Sequence, residues 1–216
     1  MPSIATTSMT IQNHIAQGNE ISVLPRIFEH EINIAIMCRR LPADVAMSVA
    51  AQCRIDRAWQ FAWLGKPDQS LSEDLRKRLP QPDAAEALID DITSVAEATA
   101  YLFNTETVGI RLRLLNAAMC PRFHCDNLPV RLVTTYLGPG SEWLPEYAIN
   151  RAGLGTPNPS RPEIVKEAGA IQRMSAGDIA LIKGSGWEGN EDYGLVHRSP
   201  ALKEDEKRLL LTIDPA

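Results

Sequence analysis

Two histidines and an aspartate stand out among the residues able to do chemistry. His124 and Asp126 are one residue apart, and His197 and then Arg208 follow far downstream. A His-x-Asp pair with a distant histidine can build a three-ligand face on a divalent metal. Two imidazoles and one carboxylate on one side of iron(II) leave the other positions open for a co-substrate and oxygen. The chain has only four histidines. His14 lies in a polar stretch and His30 in an acidic one, which leaves His124 and His197 as the two in metal-like company. Arg208 opens the segment RLLLTID. If it faces the same cavity, its guanidinium can grip a carboxylate through two parallel hydrogen bonds.

These residues need extended backbone to hold them. On a strand over 122–126, alternation puts His124 and Asp126 on one side and Cys125 on the other. Thr134 and Tyr136 share one face of the next strand and could donate hydroxyl hydrogen bonds to a bound organic acid. Arg113 and Asn116 precede the motif and could line the same pocket. Cys120 is not constrained by the strand argument. With His124, Asp126 and His197 it could close a four-ligand zinc site with no open position, so a structural or storage zinc is the alternative to a reactive iron.

The pattern of elements divides the chain in two. Residues 1–20 read as a loose tail rich in Ser, Thr, Asn and Gln, and 21–216 as a single domain. Over 21–104 the reading is mainly helical. It has a short strand at 21–24, a strand or helix start at 32–38, and a helix that begins at Pro42-Ala43-Asp44. An aromatic strand at 58–64, a short helix at 72–78 and a long helix at 83–102 follow. From 105 to 216 the reading is β, with strands at 108–114, 122–126, 130–137, 171–174, 178–183, 193–197 and 208–213. Residues 145–170, rich in Pro, Gly and Asn, form a long excursion. Short strands with turn signals between them predict a sandwich or jelly-roll, and the whole chain reads as α+β, with the α-rich half packed on the β half.

Composition excludes some function classes. The chain has 216 residues, of which 44% are hydrophobic and 23% charged, as in an ordinary globular protein. A formal net charge of −5 argues against general nucleic-acid binding. It leaves room for a local basic cluster: Arg111, Arg113, Arg122 and Arg131 surround the motif and suit an anionic ligand. No apolar run is long enough to span a bilayer, no signal-peptide core is visible, and the expected location is the cytoplasm. The four cysteines, Cys38, Cys53, Cys120 and Cys125, are widely spread and read as free thiols. The glycine-rich run Gly184–Gly189 lacks the Gly-Lys-Ser/Thr of a phosphate loop and reads as a flexible rim before His197. Trp143 and Trp187 could line a substrate entrance. No Gly-x-Ser-x-Gly elbow supports serine hydrolase chemistry.

With His124, Asp126, His197 and Arg208 in view, the segments AGDIALIKG, GLVHRSP and RLLLTID resemble the C-terminal core of the iron(II)- and 2-oxoglutarate-dependent oxygenase superfamily. The resemblance covers roughly residues 107–214. More narrowly, the chain is similar to a bacterial family named only as a domain of unknown function and encoded near zinc-homeostasis GTPases. The resemblance implies a double-stranded β-helix. It implies iron held by His124, Asp126 and His197, with Arg208 on the distal carboxylate of 2-oxoglutarate. The implied activity is hydroxylation of a small-molecule or peptide substrate. A zinc-binding protein with the same shell and no turnover is the competing expectation, and a barrel that keeps the shell for packing or ligand binding is a third.

Overall fold

The computed structural model of the protein describes residues 14–216. Its frame is a seven-stranded sheet of β1 (Ile15–Gly18), β2 (Ile34–Met37), β3 (Trp59–Gly65), β4 (Val108–Leu115), β5 (Val130–Leu137), β8 (Ile179–Lys183) and β10 (Arg208–Pro215). The spatial order is β1-β2-β8-β5-β10-β4-β3. A second sheet, in the order β7-β6-β9, is made of β6 (Glu142–Trp143), β7 (Gln172–Arg173) and β9 (His197–Arg198). Three helices, α1 (Ala43–Gln52), α2 (Gln69–Arg78) and α3 (Glu86–Leu102), cover one face of the large sheet. Among the described residues no helix is long and apolar enough to cross a membrane.

Alternation decides which face of the large sheet does what. On β10, Leu209, Leu211 and Ile213 pack against α3 residues such as Leu88, Ile89 and Ile92, together with Ile110 and Leu112 of β4. The residues between them, Arg208, Leu210, Thr212 and Asp214, therefore face the other way. On that inner side Leu210 and Val133 meet Trp143, Met174 and Leu195, and so fill the space between the two sheets. The excursion over 145–170 is folded rather than loose. Ala148, Ile149, Ile164 and Ala170 join Phe123, Leu144 and Val196 in a third apolar cluster, with short 3-10 turns at Glu146–Ala148, Arg151–Gly153 and Ala168–Ala170.

Several expected elements differ. The predicted loose tail lies partly outside the described residues, but Ile15–Gly18 pairs parallel with β2 at the sheet edge. The strand expected at 21–24 is a 3-10 helix, Ile21–Phe28, that contains Pro25. Proline cannot donate a ladder hydrogen bond, and the helical spacing buries Val23, Leu24 and Ile27 on one side. The strand expected at 122–126 reduces to one bridge residue, His124.

The register of β5 overturns the placement of two predicted residues. Leu209 pairs with Leu137 but Leu210 pairs with Thr135, so Tyr136 is an extra, bulged residue. Tyr136 packs in the helix-side core and its hydroxyl donates to Asp91 Oδ2 at 2.6 Å. Thr134 shares the helix-side parity of Leu132, and its buried hydroxyl has no partner among the described residues. Neither side chain reaches the inner face. Burial and the neighbouring Asp91 carboxylate push the Tyr136 phenol well above its ordinary range. Tyr136→Phe should therefore cost roughly 1–3 kcal/mol of stability, because Asp91 keeps only its two Arg39 bonds. A shift of the urea midpoint at neutral pH measures it, and an unchanged midpoint would mean the buried hydroxyl contributes nothing.

Candidate metal centre

His124 and His197 are joined by their backbones. The His124 N–H donates to the His197 carbonyl at 3.0 Å, and the His197 N–H donates back at 2.9 Å. This narrow antiparallel pair brings the two rings to a centroid distance of 4.6 Å. Each Nδ1 sits against a carbonyl two residues earlier, His124 on Arg122 at 3.0 Å and His197 on Leu195 at 3.2 Å. A carbonyl can only accept, so both rings carry the proton on Nδ1 and leave the Nε2 lone pair free. Those lone pairs meet the Asp126 carboxylate. His124 Nε2 is 3.6 Å from Oδ1, and His197 Nε2 is 3.8 Å from Oδ2. One ligand atom from each of the three residues lies within 4.8 Å of the others. Separations of this order are what a single ion with bonds near 2 Å requires.

Burial prepares the donors. His197 is buried, and desolvation drives its pKa down to about 4, with the Asp126 charge opposing that shift. The ring is therefore neutral at pH 7 and able to ligate. Asp126 is oriented by a charged network. Arg131 Nη1 donates to Asp126 Oδ2 at 2.7 Å, and the Arg131 Nε and Nη2 hold both oxygens of Asp214 at 2.6 and 2.8 Å. Arg111 Nη1 reaches the same Asp214 at 2.7 Å. The backbone of Asp126 is clamped as well, because the Ser185 N–H donates to its carbonyl at 2.8 Å. A Cβ on Gly184 would lie 2.1 Å from the Leu128 carbonyl oxygen and 2.5 Å from that of Asp126, so only glycine fits there. The glycine-rich run is thus a packed support of the aspartate. Trp187, at its end, stacks with Phe28 and Phe103 rather than lining an entrance.

Arg208 is 1% exposed and stands at the other end of the inner face. Its Nη2 donates to Ser141 Oγ at 2.7 Å and to Thr135 Oγ1 at 3.1 Å, while Nη1 is 3.4 Å from Ser199 Oγ. Its Nε has no partner, and no carboxylate pairs with it among the described residues. Desolvation lowers its pKa to about 10, still high enough to keep it charged. Ser199, which the guanidinium approaches, lies two residues after His197 in the chain.

The remaining predicted residues are placed as follows. Arg113 is on the inner face of β4, opposite Leu210, and Asn116 is exposed beyond the strand end. Cys120 is half-buried, and its carbonyl accepts from the Ser199 N–H at 2.9 Å, but its thiol is not among the convergent ligand atoms. Cys125 points toward Gly194, where a Cβ would lie 2.3 Å from its Sγ. Trp143 is buried between the sheets. Asp214, Thr135 and Ser141 are not singled out by the sequence as site residues, and Arg131 enters there only as part of the basic cluster around the motif. The signal for Thr135 and Arg131 was present in their parity with each other, opposite to that of Thr134 and Tyr136. A cavity of about 730 Å³ lies at the β1 edge and has none of the three convergent residues in its wall.

Comparison with known proteins adds fold and family. The family described as "Protein of unknown function (DUF1826)" matches residues 18–214. No curated protein matches the chain. Among solved structures, the chain is similar to the dioxygenase for auxin oxidation of rice, at 12% identity and a TM-score of 0.52, over 85% of this chain and 73% of that one. It is also similar to dioxygenase for auxin oxidation 1 from Arabidopsis thaliana in its complex with 2-oxoglutarate, at 9% identity and a TM-score of 0.51, over 93% of this chain and 91% of that one. At such identities the shared property is the fold.

The His197 shift gives a pH dependence of stability. Its folded pKa lies below the ordinary histidine value of 6.5, so the unfolded chain binds the extra proton first as pH falls. Stability from this group is complete above about pH 6.5 and is lost as pH falls toward about 4. In metal-free protein, the drop in urea midpoint between pH 7 and pH 5 should be smaller in His197→Gln than in wild type. Equal drops in the two proteins would place the acid lability elsewhere.

Proposed function

We propose that the chain, which belongs to the family described as protein of unknown function (DUF1826), is an iron(II)- and 2-oxoglutarate-dependent oxygenase. The observation that carries this reading is the buried, acid-free guanidinium of Arg208 on the same inner face as the His124, Asp126 and His197 cluster. Burying an unpaired charge costs several kcal/mol unless a counter-charge arrives. A dicarboxylate with one acid on Arg208 and its other end on the metal meets both demands at once. The two facing sheets are read as a double-stranded β-helix, in keeping with the fold shared with the auxin dioxygenases.

In this reading His124, Asp126 and His197 would hold the iron. Both imidazoles are aimed because their Nδ1–H groups are tied to backbone carbonyls. Arg131 donates to the Asp126 carboxylate and fixes one of its oxygens. Arg208 takes the distal carboxylate, while the Ser141 and Thr135 hydroxyls, now its neutral partners, hold its fork in place. Leu210, Val133 and Trp143 exclude water from the space between. Iron with 2-oxoglutarate and oxygen supplies oxidative decarboxylation of the keto acid and hydroxylation of a substrate C–H bond.

The test is anaerobic loading with iron(II), followed by measurement of 2-oxoglutarate consumption and succinate on admitting oxygen. Arg208→Met should raise the KM for 2-oxoglutarate about tenfold or more, the cost of removing a charged hydrogen-bonding partner. His197→Ala should abolish metal uptake. Zinc retained at full occupancy, with no exchange for iron and no succinate, would replace this reading with that of a zinc-binding protein.

A further inference from the structure

The inner face of the large sheet is covered unevenly. On β10, Arg208, Leu210 and Thr212 are buried; on β4, Arg111 and Arg113 are half-buried; on β3, Gln60, Ala62 and Leu64 are exposed. Leu64 reaches 71% exposure. The inner face is therefore uncovered over β4 toward the edge strand β3, and these strands form an open floor beside the site. The floor is cationic, although the chain is acidic overall. Arg111 leads there from the network that orients Asp126, and its side chain is 42% exposed. Its acid partner, Asp214, is shared with Arg131, which also pairs with Asp126. Arg113 lies one alternation along the same strand, with Gln60 on one side and Leu210 on the other. Its only polar contact among the described residues is the Met119 thioether, 2.8 Å from Nη1. A thioether is a weak acceptor, and no carboxylate pairs with Arg113 among the described residues.

Resting on the oxygenase reading above, we propose that the substrate is a small acidic molecule whose carboxylate or phosphate is seated by Arg113, with Arg111 beside it. Two donors-only guanidiniums on one open floor suit an anion, and Arg113 is free to use both its Nη groups in a forked grip. The exposed Leu64 and Ala62 side chains offer apolar contact to the rest of the molecule. An extended peptide is disfavoured, because Arg78 Nη1 donates to the Ala62 carbonyl at 3.1 Å and occupies an acceptor of the edge strand that an added strand would use. Arg208 is not the anion seat for this substrate, since the co-substrate fills it.

Inorganic phosphate is the probe. The full chain is loaded without oxygen with manganese(II) and saturating 2-oxoglutarate, and broadening of the phosphorus-31 resonance by the metal reports an anion close to it. Saturable broadening is expected in wild type. Arg113→Met should weaken its apparent affinity about tenfold, with Arg113→Lys in between. Absence of saturable broadening overturns the proposal. So does broadening that Arg113→Met leaves unchanged, because the anion then sits on the metal or at Arg208. Failure of the oxygenase reading shows separately, as absence of manganese uptake by electron spin resonance. In that case calorimetry of phosphate with metal-free protein decides the anion seat, since heat lost in Arg113→Met upholds it and equal heats overturn it.

Discussion

The backbone pairing of His124 with His197 is the constraint on which the site depends. Two N–H···O bonds, of 3.0 and 2.9 Å, make neighbours of residues that are distant in sequence. Side chains of directly opposed residues in an antiparallel pair emerge on the same side, so the pairing alone sets both rings toward one point. The carbonyls of Arg122 and Leu195 then fix the tautomers. Asp126 cannot be delivered by the same pairing, since the strand ends at the bridge. It is held instead by Arg131 from the large sheet and by the loop at Gly184. The centre is thus a joint between two sheets: one supplies the histidines, the other orients the acid.

Charge on the inner face follows one logic at each end. Around Asp126, two carboxylates and two guanidiniums alternate from Asp126 through Arg131 and Asp214 to Arg111, and each buried charge has a counterpart. Around Arg208 the partners are hydroxyls only. Hydroxyls orient a guanidinium but do not neutralise it, and burial drives its pKa down to about 10 as a consequence. One end is balanced by the chain itself; the other has no counter-charge among the described residues. That asymmetry supports the proposed dicarboxylate more directly than the spacing of the histidines does, since histidine and aspartate clusters also occur at structural metals.

Much of this was legible in the sequence. The 3.6 period of α3 and the alternation of β4 located those elements, because each has one face in a large apolar core and periodicity reports that directly. Strands β5, β8 and β10 are largely buried on both faces and were legible as apolar runs between turn signals. Convergence of His124, Asp126 and His197 was legible from residue type. Their actual support was not: a strand over 122–126 was the simplest way to align two ligands, whereas the chain uses a single bridge and side-chain clamps. Tyr136 and Thr134 show why parity alone fails. Both faces of β5 are buried, so its pattern cannot say which one meets the helices, and the bulge at Tyr136 turns that side chain and Leu137 to the same side. Arg131 and Asp214 were invisible as partners because register between strands is a long-range property.

The helices explain why the inner face can carry so much charge. Leu88, Ile89 and Ile92 of α3, with Val45 and Val49 of α1 and Leu71 and Leu75 of α2, seal the outer face of the sheet with a continuous apolar core. Apolar burial on that side supplies the favourable free energy that a domain of this size needs. The inner face is relieved of that task. It carries Arg208, Asp214, Arg131 and Arg111 on the strands whose other face is the best packed in the molecule, and each of these charged groups is therefore anchored on a rigid backbone. The position of these four groups is in this sense set by leucines and isoleucines on the far side of the sheet, one residue away in sequence from each of Arg208, Asp214, Arg131 and Arg111.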